Sequence, residues 1–372
     1  MTKTSDSIAG DITFVAACHC RRSTLSFTVP ATSLPLPVHF CHCDICRQTH
    51  GTLCSVHANI PRPKIDFSSY TAYHSSDKVI RWFCSTCGAH VVDRAIETQN
   101  DQGTDHEPLS LEKWHIAVCL VEAEETVWDF QSHIFVDSTR DGGLAILLPQ
   151  IGNKKLKLWK HKPVAAVISA ESGDWPGPIP QSVRGNATLH DHAYLEAKCH
   201  CGGISFFISR PVEEHNAAIP SSLRPTDASK YPALHDACTT CRLTLSSFPV
   251  SWLFVPKAAL LTCPVSRTSY PEDGILGTAK SYTSSEGVNR TFCGTCGAGV
   301  MYSCADRPDL VDIAVGLLQL GSGGGNPQGV RAEEWIEWKT VRVGWEGDAL
   351  WKEPVLALKE GLRKHPSNSW AQ

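Results

Sequence analysis

Seven cysteines in the first half of the chain fall into three short arrays: Cys18-His19-Cys20, Cys41-His42-Cys43-Asp44-Ile45-Cys46 and Cys84-Ser85-Thr86-Cys87. The outer two, Cys18 and Cys20 with Cys84 and Cys87, bring four thiolates from two tight turns, the number and type that close a tetrahedral structural zinc site. Gly88, after the last cysteine, accepts a positive φ, so the backbone can fold round a metal with its amides toward the sulfurs. Pairs of buried, unligated cysteines are the plainer alternative, but core cysteines do not cluster at ligand spacing. The middle array gives three thiolates, Cys41, Cys43 and Cys46, from one loop. Three protein ligands leave a fourth zinc position open, which is the arrangement of a catalytic site. Three thiolates weaken zinc as a Lewis acid, so the chemistry that suits it is binding an incoming thiol as a thiolate, a strong nucleophile at neutral pH. A fourth ligand from His39, His42 or Cys54 would instead close the site and make it inert.

The second half carries related residues. Cys199, Cys201, Cys293 and Cys296 repeat the outer quartet, whereas Asp236-Ala237-Cys238-Thr239-Thr240-Cys241-Arg242 sets Asp236 opposite Cys41. A carboxylate also binds zinc, so Asp236, Cys238 and Cys241 either form a harder Cys2Asp site with a different substrate preference or have lost the metal. Two zinc ions are expected in the first half and one or two in the second. Thr49-His50-Gly51 becomes Thr244-Leu245-Ser246, which predicts an altered pocket there as well. Cys54, Cys119, Cys263 and Cys304 read as core or surface residues. His133 reads either as a satisfied structural histidine or as a group facing a pocket.

The elements that hold these arrays recur in the same order. Leu25, Phe27 and Val29 alternate after the first array, as Ile204, Phe206 and Ile208 do after Cys201, and period-two alternation is the mark of a strand. Arg81-Trp82-Phe83-Cys84-Ser85-Thr86-Cys87-Gly88-Ala89 and Arg290-Thr291-Phe292-Cys293-Gly294-Thr295-Cys296-Gly297-Ala298 agree at seven of nine positions. The offset grows from 181 residues at Cys18 to 209 at Cys84, too long for a solenoid and suited to two tandem domains. The pattern predicts a mainly β protein with one domain over 11–168, a connector over 169–192 and a second domain over 193–359. The connector begins with a stretch, 169–186, rich in Pro and Gly.

Composition sets the class. The 372 residues are 42% hydrophobic with a formal net charge of -4, which excludes disorder, and 34 Lys+Arg against 38 Asp+Glu give no excess to bind a phosphate backbone. No nucleic-acid partner is expected. No apolar run approaches the roughly 18 residues of a membrane helix, and the polar start lacks a signal-peptide core. A cytoplasmic protein is therefore expected, in a compartment where clustered thiols are metal ligands rather than disulfides. Neither a glycine-rich phosphate loop nor a Gly-x-Ser-x-Gly elbow is found, so nucleotide chemistry and serine hydrolysis lack support.

Taken in order, Cys-x-Cys, Cys-x-Cys-x-x-Cys-Arg, Phe-Cys-x-x-Cys-Gly and His-Ile-Phe-Val resemble the glutathione-dependent formaldehyde-activating enzyme family, shared with centromere protein V. The resemblance covers 11–168 and, in degenerate form, about 193–359. It implies an Mss4-like fold of packed β-sheets, a structural zinc on Cys18, Cys20, Cys84 and Cys87, and a catalytic one on Cys41, Cys43 and Cys46. The implied activity is carbon-sulfur lyase chemistry on a thiol adduct of a small aldehyde, with glutathione as a co-substrate. The second function class is a non-catalytic zinc scaffold that binds proteins, as the centromere relative suggests; the absence of a basic tail argues against a chromatin role. Asp236 and Leu245 depart from the pattern and put lyase activity of the second half in doubt.

Overall fold

Alternating side chains build the sheets. In Thr24–Pro30 the side chains of Leu25, Phe27 and Val29 are buried while Thr24, Thr28 and Pro30 face solvent, so one face of the strand carries its burial energy. A computed structural model describes residues 10–98, 110–163, 173–178, 193–319 and 329–365. Of the expected connector only 173–178 is described, and the rest lies outside the described residues. Within it the Trp175 amide donates to the Leu158 carbonyl and Asp174 accepts from the Lys160 amide, so this piece lies along the first half.

Among the described residues the protein is mainly β. The first half has a small sheet of Asp11–Ala17, Thr24–Pro30 and Lys64–Ile65. Beside it is an eight-stranded sheet in the order Lys157–Leu158, Trp128–Ile134, Leu36–Cys41, Ser55–Ile60, Ser110–Ala117, His90–Thr98, Val79–Cys84, Tyr70–Ser76. The second half runs Ile336–Trp338, Tyr231–Asp236, Val250–Pro256, Leu310–Ala314, Gly299–Cys304, Val288–Cys293, Ala279–Ser285. That is the same order without the first edge strand. In both, the strand leading into the inner array, Leu36–Cys41 or Tyr231–Asp236, pairs antiparallel on one side and parallel on the other.

The halves share one contiguous hydrophobic core, running from Leu25 and Phe27 to Leu358 and Leu362. Their contact is reciprocal at the glycines of the Cys-x-x-Cys-Gly turns. Gly88 (φ +80) leaves room for the Phe292 ring, which a Cβ would meet at 2.5 Å, and Gly297 (φ +75) does the same for Phe83 at 2.6 Å. Glycine is thus needed twice over, for the turn and for the close approach. The last helix, Lys352–Lys364, buries Val355, Leu358 and Leu362 along one face. It runs past residue 359, with Leu362 continuing that apolar stripe, and packs against Gln150–Ile151 of the first half. Just before it, the fully buried Trp351 ring meets Phe130 of the first half and Phe248 of the second, edge-on in each case. Among the described residues no helix is long and apolar enough to cross a membrane.

Candidate metal centres

Strand ends and turns bring each outer quartet together. Cys18 follows Asp11–Ala17, Cys84 ends Val79–Cys84, and the sulfurs of Cys18, Cys20, Cys84 and Cys87 all lie within 4.8 Å of one another. Cys18 to Cys20 is 3.4 Å and Cys20 to Cys84 is 3.5 Å. Sulfurs on a tetrahedron about 2.3 Å from zinc stand about 3.8 Å apart, so the cluster needs only slight expansion round an ion. Hydrogen bonds from Cys18 and Cys87 hold the Cys84 thiol far below its usual range, while Cys18 and its other neighbours push Cys87 far above. Four sulfurs this close cannot all ionise without a cation among them, which a divalent metal supplies. Cys199, Cys201, Cys293 and Cys296 repeat the arrangement, with Cys199 to Cys201 at 3.6 Å and Cys201 to Cys293 at 3.5 Å. All seventeen cysteines are free of disulfides.

The inner trio stands at a strand-to-helix corner. Cys41 ends Leu36–Cys41, Cys43 caps the helix Asp44–His50 with its sulfur accepting from the Cys46 amide, and Cys46 lies in the first turn. Their sulfurs converge within 4.8 Å, and among the described residues no fourth His, Cys, Asp or Glu joins them at that range. The three residues that might have closed the site are placed elsewhere. His42 turns into the protein, its Nε2 2.9 Å from His133 Nδ1; Cys54 packs in the core; His39 lines the adjoining cavity. His133 is fully buried between His42 and the Leu148 carbonyl, a structural role.

That cavity, about 340 Å³, adjoins all three sulfurs and is walled by His39, His57, Arg81, Asp93, His115 and Trp159, with Lys157 and Lys162 also in its lining. Arg81 is the hub. Its Nη2 donates to Cys46 Sγ at 3.5 Å, its Nη1 to Asp93 Oδ2 at 3.1 Å, and its Nε to Ser75 Oγ at 3.1 Å. Asp93 Oδ1 also faces His115 Nδ1 at 2.8 Å. Burial would raise the Asp93 pKa, yet His115, with help from His57 and Arg81, holds it below the usual carboxylate range. Hydrogen bonds from Cys41 and Cys43, and the Arg81 charge, hold Cys46 well below the thiol range, while bonding to Cys43 pushes Cys41 up.

In the second half Asp236, Cys238 and Cys241 also bring their ligand atoms within 4.8 Å. Burial raises the Asp236 carboxyl, and bonding to Cys241 lowers Cys238 to about 7. Arg290 repeats Arg81, donating from Nη2 to Cys241 Sγ at 3.5 Å and from Nε to Ser284 Oγ at 3.1 Å. The strand register then shows what has changed around it: Leu234, Trp252, Phe254, Tyr302 and Asp312 occupy the places of His39, His57, Asn59, Asp93 and His115. With Tyr302 for Asp93, the buried Arg290 Nη1 has no hydrogen-bonding partner among the described residues, and the guanidinium lies over the Tyr302 ring. Asp312 pairs instead with Arg307 through both oxygens. The cavity here is about 750 Å³.

The pocket has changed, but not where expected. Neither Thr49, His50 and Gly51 nor Thr244, Leu245 and Ser246 line either of these two cavities. They meet across the two halves, with His50 Nδ1 3.0 Å from the Leu245 carbonyl oxygen. The wall residues Asp93, His115, His39 and His57 carry no local sequence pattern. The one signal available was Arg81, identical to Arg290 at the head of the recurring Cys-x-x-Cys element.

Residues 13–106 match the family model of the glutathione-dependent formaldehyde-activating enzyme. The match includes the first outer quartet, the inner trio, Arg81 and Asp93, and stops before His115 and the second half. No curated protein and no solved structure matches the chain.

Proposed function

Because the chain carries at residues 13–106 a domain of the glutathione-dependent formaldehyde-activating enzyme family, we propose that the inner trio of the first half serves a carbon-sulfur lyase acting on a thiol adduct of a small aldehyde, of the S-hydroxymethylglutathione type. The observation that carries this reading is the contrast between a quartet closed by four sulfurs and a trio that adjoins a 340 Å³ cavity lined by titratable groups. A zinc ion held by Cys41, Cys43 and Cys46 would stabilise, as a thiolate, the sulfur that leaves when the C–S bond of the adduct breaks. Arg81 holds Cys46 and is itself held by Asp93. Asp93 orients His115 through Nδ1, the arrangement of a positioned proton carrier. In the lyase direction the adduct hydroxyl gives its proton to His115, the C=O bond forms as the C–S bond breaks, and the departing sulfur recovers that proton. Lys157 and Lys162 place positive charge in the lining, which suits the carboxylates of a glutathione-like thiol.

The second half is read as a divergent copy, on the strength of the shared strand order and the shared arginine contact. Protein purified without chelator should contain three or four zinc ions by elemental analysis and should turn over S-hydroxymethylglutathione, with Cys46→Ala inactive yet folded. Full metal content without turnover of any thiol adduct would leave the scaffold reading in its place.

A further inference from the structure

The histidines in the middle of the two outer arrays are not used by either metal set. Both are half-buried, and both cross to the other half. His200, between Cys199 and Cys201, has its Nδ1 2.5 Å from the Tyr73 hydroxyl. His19, between Cys18 and Cys20, has its Nδ1 2.7 Å from the Tyr282 hydroxyl. The rings meet edge-on in each pair, with centroids 5.7 Å apart. The tyrosines lie at matching places on the outer hairpins. Tyr73 is the cross-strand partner of Arg81, and Tyr282 is the partner of Arg290. Those arginines are the ones that reach the inner sulfurs, Cys46 and Cys241.

A continuous physical connection therefore runs from the outer quartet of one half to the inner site of the other: Cys199-His200-Cys201, Tyr73, the Arg81 backbone, Cys46. The mirror connection runs through His19, Tyr282 and Arg290. We propose that the outer knuckle of each half is a positioning element for the inner site of the opposite half, with His200 and Tyr73 setting the placement of Arg81 against Cys46. This gives the second half a task that does not depend on its own inner site, and it accounts for a complete outer quartet beside an altered inner set. The proposal concerns where a sulfur is held and stands independently of any turnover by the first half.

The two latches control for each other. Zinc-loaded full-length protein is treated with iodoacetamide, and alkylation of Cys46 and Cys241 is followed separately by peptide mass spectrometry. In the zinc-loaded protein the metal keeps the Cys46 sulfur ionised, and the Arg81 hydrogen bond only draws charge from it and covers it, so loosening Arg81 raises its reactivity. Tyr73→Phe should speed alkylation of Cys46 by about three- to tenfold, the range of one hydrogen bond, and leave Cys241 unchanged. Tyr282→Phe should do the reverse. His200→Ala should match Tyr73→Phe, while His200→Asn, which keeps an acceptor near the Nδ1 position, should restore the original rate. An unchanged or slower Cys46 in folded Tyr73→Phe overturns the proposal. So does an equal rise at both thiols in either single variant, since that marks general loosening rather than a directed connection.

Discussion

Two buried arginines, Arg81 and Arg290, occupy the same place on the same strand order, yet among the described residues only Arg81 has a carboxylate in ion-pair range. Arg81 meets a carboxylate on the next strand; Arg290 meets a tyrosine ring. The fold aims both guanidinium groups at an inner-site sulfur. The neighbouring strand then decides what the group is for. With Asp93 in place, the Arg81 charge is matched, His115 is oriented, and the cavity stays small. With Tyr302 there and Asp312 taken by Arg307, the second cavity becomes larger and partly aromatic. Five wall residues thus differ between the sites, beyond the single ligand change from Cys41 to Asp236.

The sharpest way to break the comparison is to treat the quartet and the trio alike. Structural zinc contributes on the order of 10 kcal/mol to folding in small zinc domains, so Cys84→Ser should leave no cooperative thermal transition near the native one. Cys46→Ser should melt close to the parent. Equal losses by circular dichroism would make the inner trio a second structural site. The next effect tests the arginines. Asp93→Asn strands a buried guanidinium and should cost about 3–5 kcal/mol in a denaturant titration. Tyr302→Asp offers Arg290 the carboxylate that Arg81 has, so it should be neutral or stabilising; a loss as large as that of Asp93→Asn would show that the two surroundings are not equivalent.

Much of this is legible in the sequence. The quartets and the trio follow from spacing, since ligands in tight turns must be near neighbours in the chain, and strands such as Thr24–Pro30 follow from alternation. The cavity wall did not follow. Asp93 lies twelve residues from Arg81 and His115 another twenty-two beyond, on strands whose register no local pattern states. His50 looked like a pocket residue because it sits beside the trio in sequence, but its helix turns it toward Leu245 of the other half. The contacts of His19 with Tyr282 and of His200 with Tyr73 span 263 and 127 residues. Only the packing of one half on the other creates them.

A smaller effect sharpens the contrast through pH. Burial lowers the His57 pKa to about 3, against roughly 6.5 in an unfolded chain. The unfolded state therefore binds the extra proton first. The stability this neutral histidine contributes is complete above pH 6.5 and is lost as pH falls from there toward 3. Its counterpart in the second half is Trp252, which does not titrate. His57→Phe should flatten the fall of the melting temperature below pH 6.5, and an unaltered slope would show that His57 is not buried in its neutral form.

The central claim is that the working site lies in the first half and that the second half's inner set is dispensable for it. Its most direct test is the turnover of S-hydroxymethylglutathione by zinc-loaded, full-length Cys43→Ala and Cys238→Ala, each checked for an intact thermal transition. The account predicts that Cys43→Ala loses nearly all carbon-sulfur activity while Cys238→Ala keeps at least about half. Equal loss in both, or the greater loss in folded Cys238→Ala, would place the chemistry in the second half or across the two and contradict it.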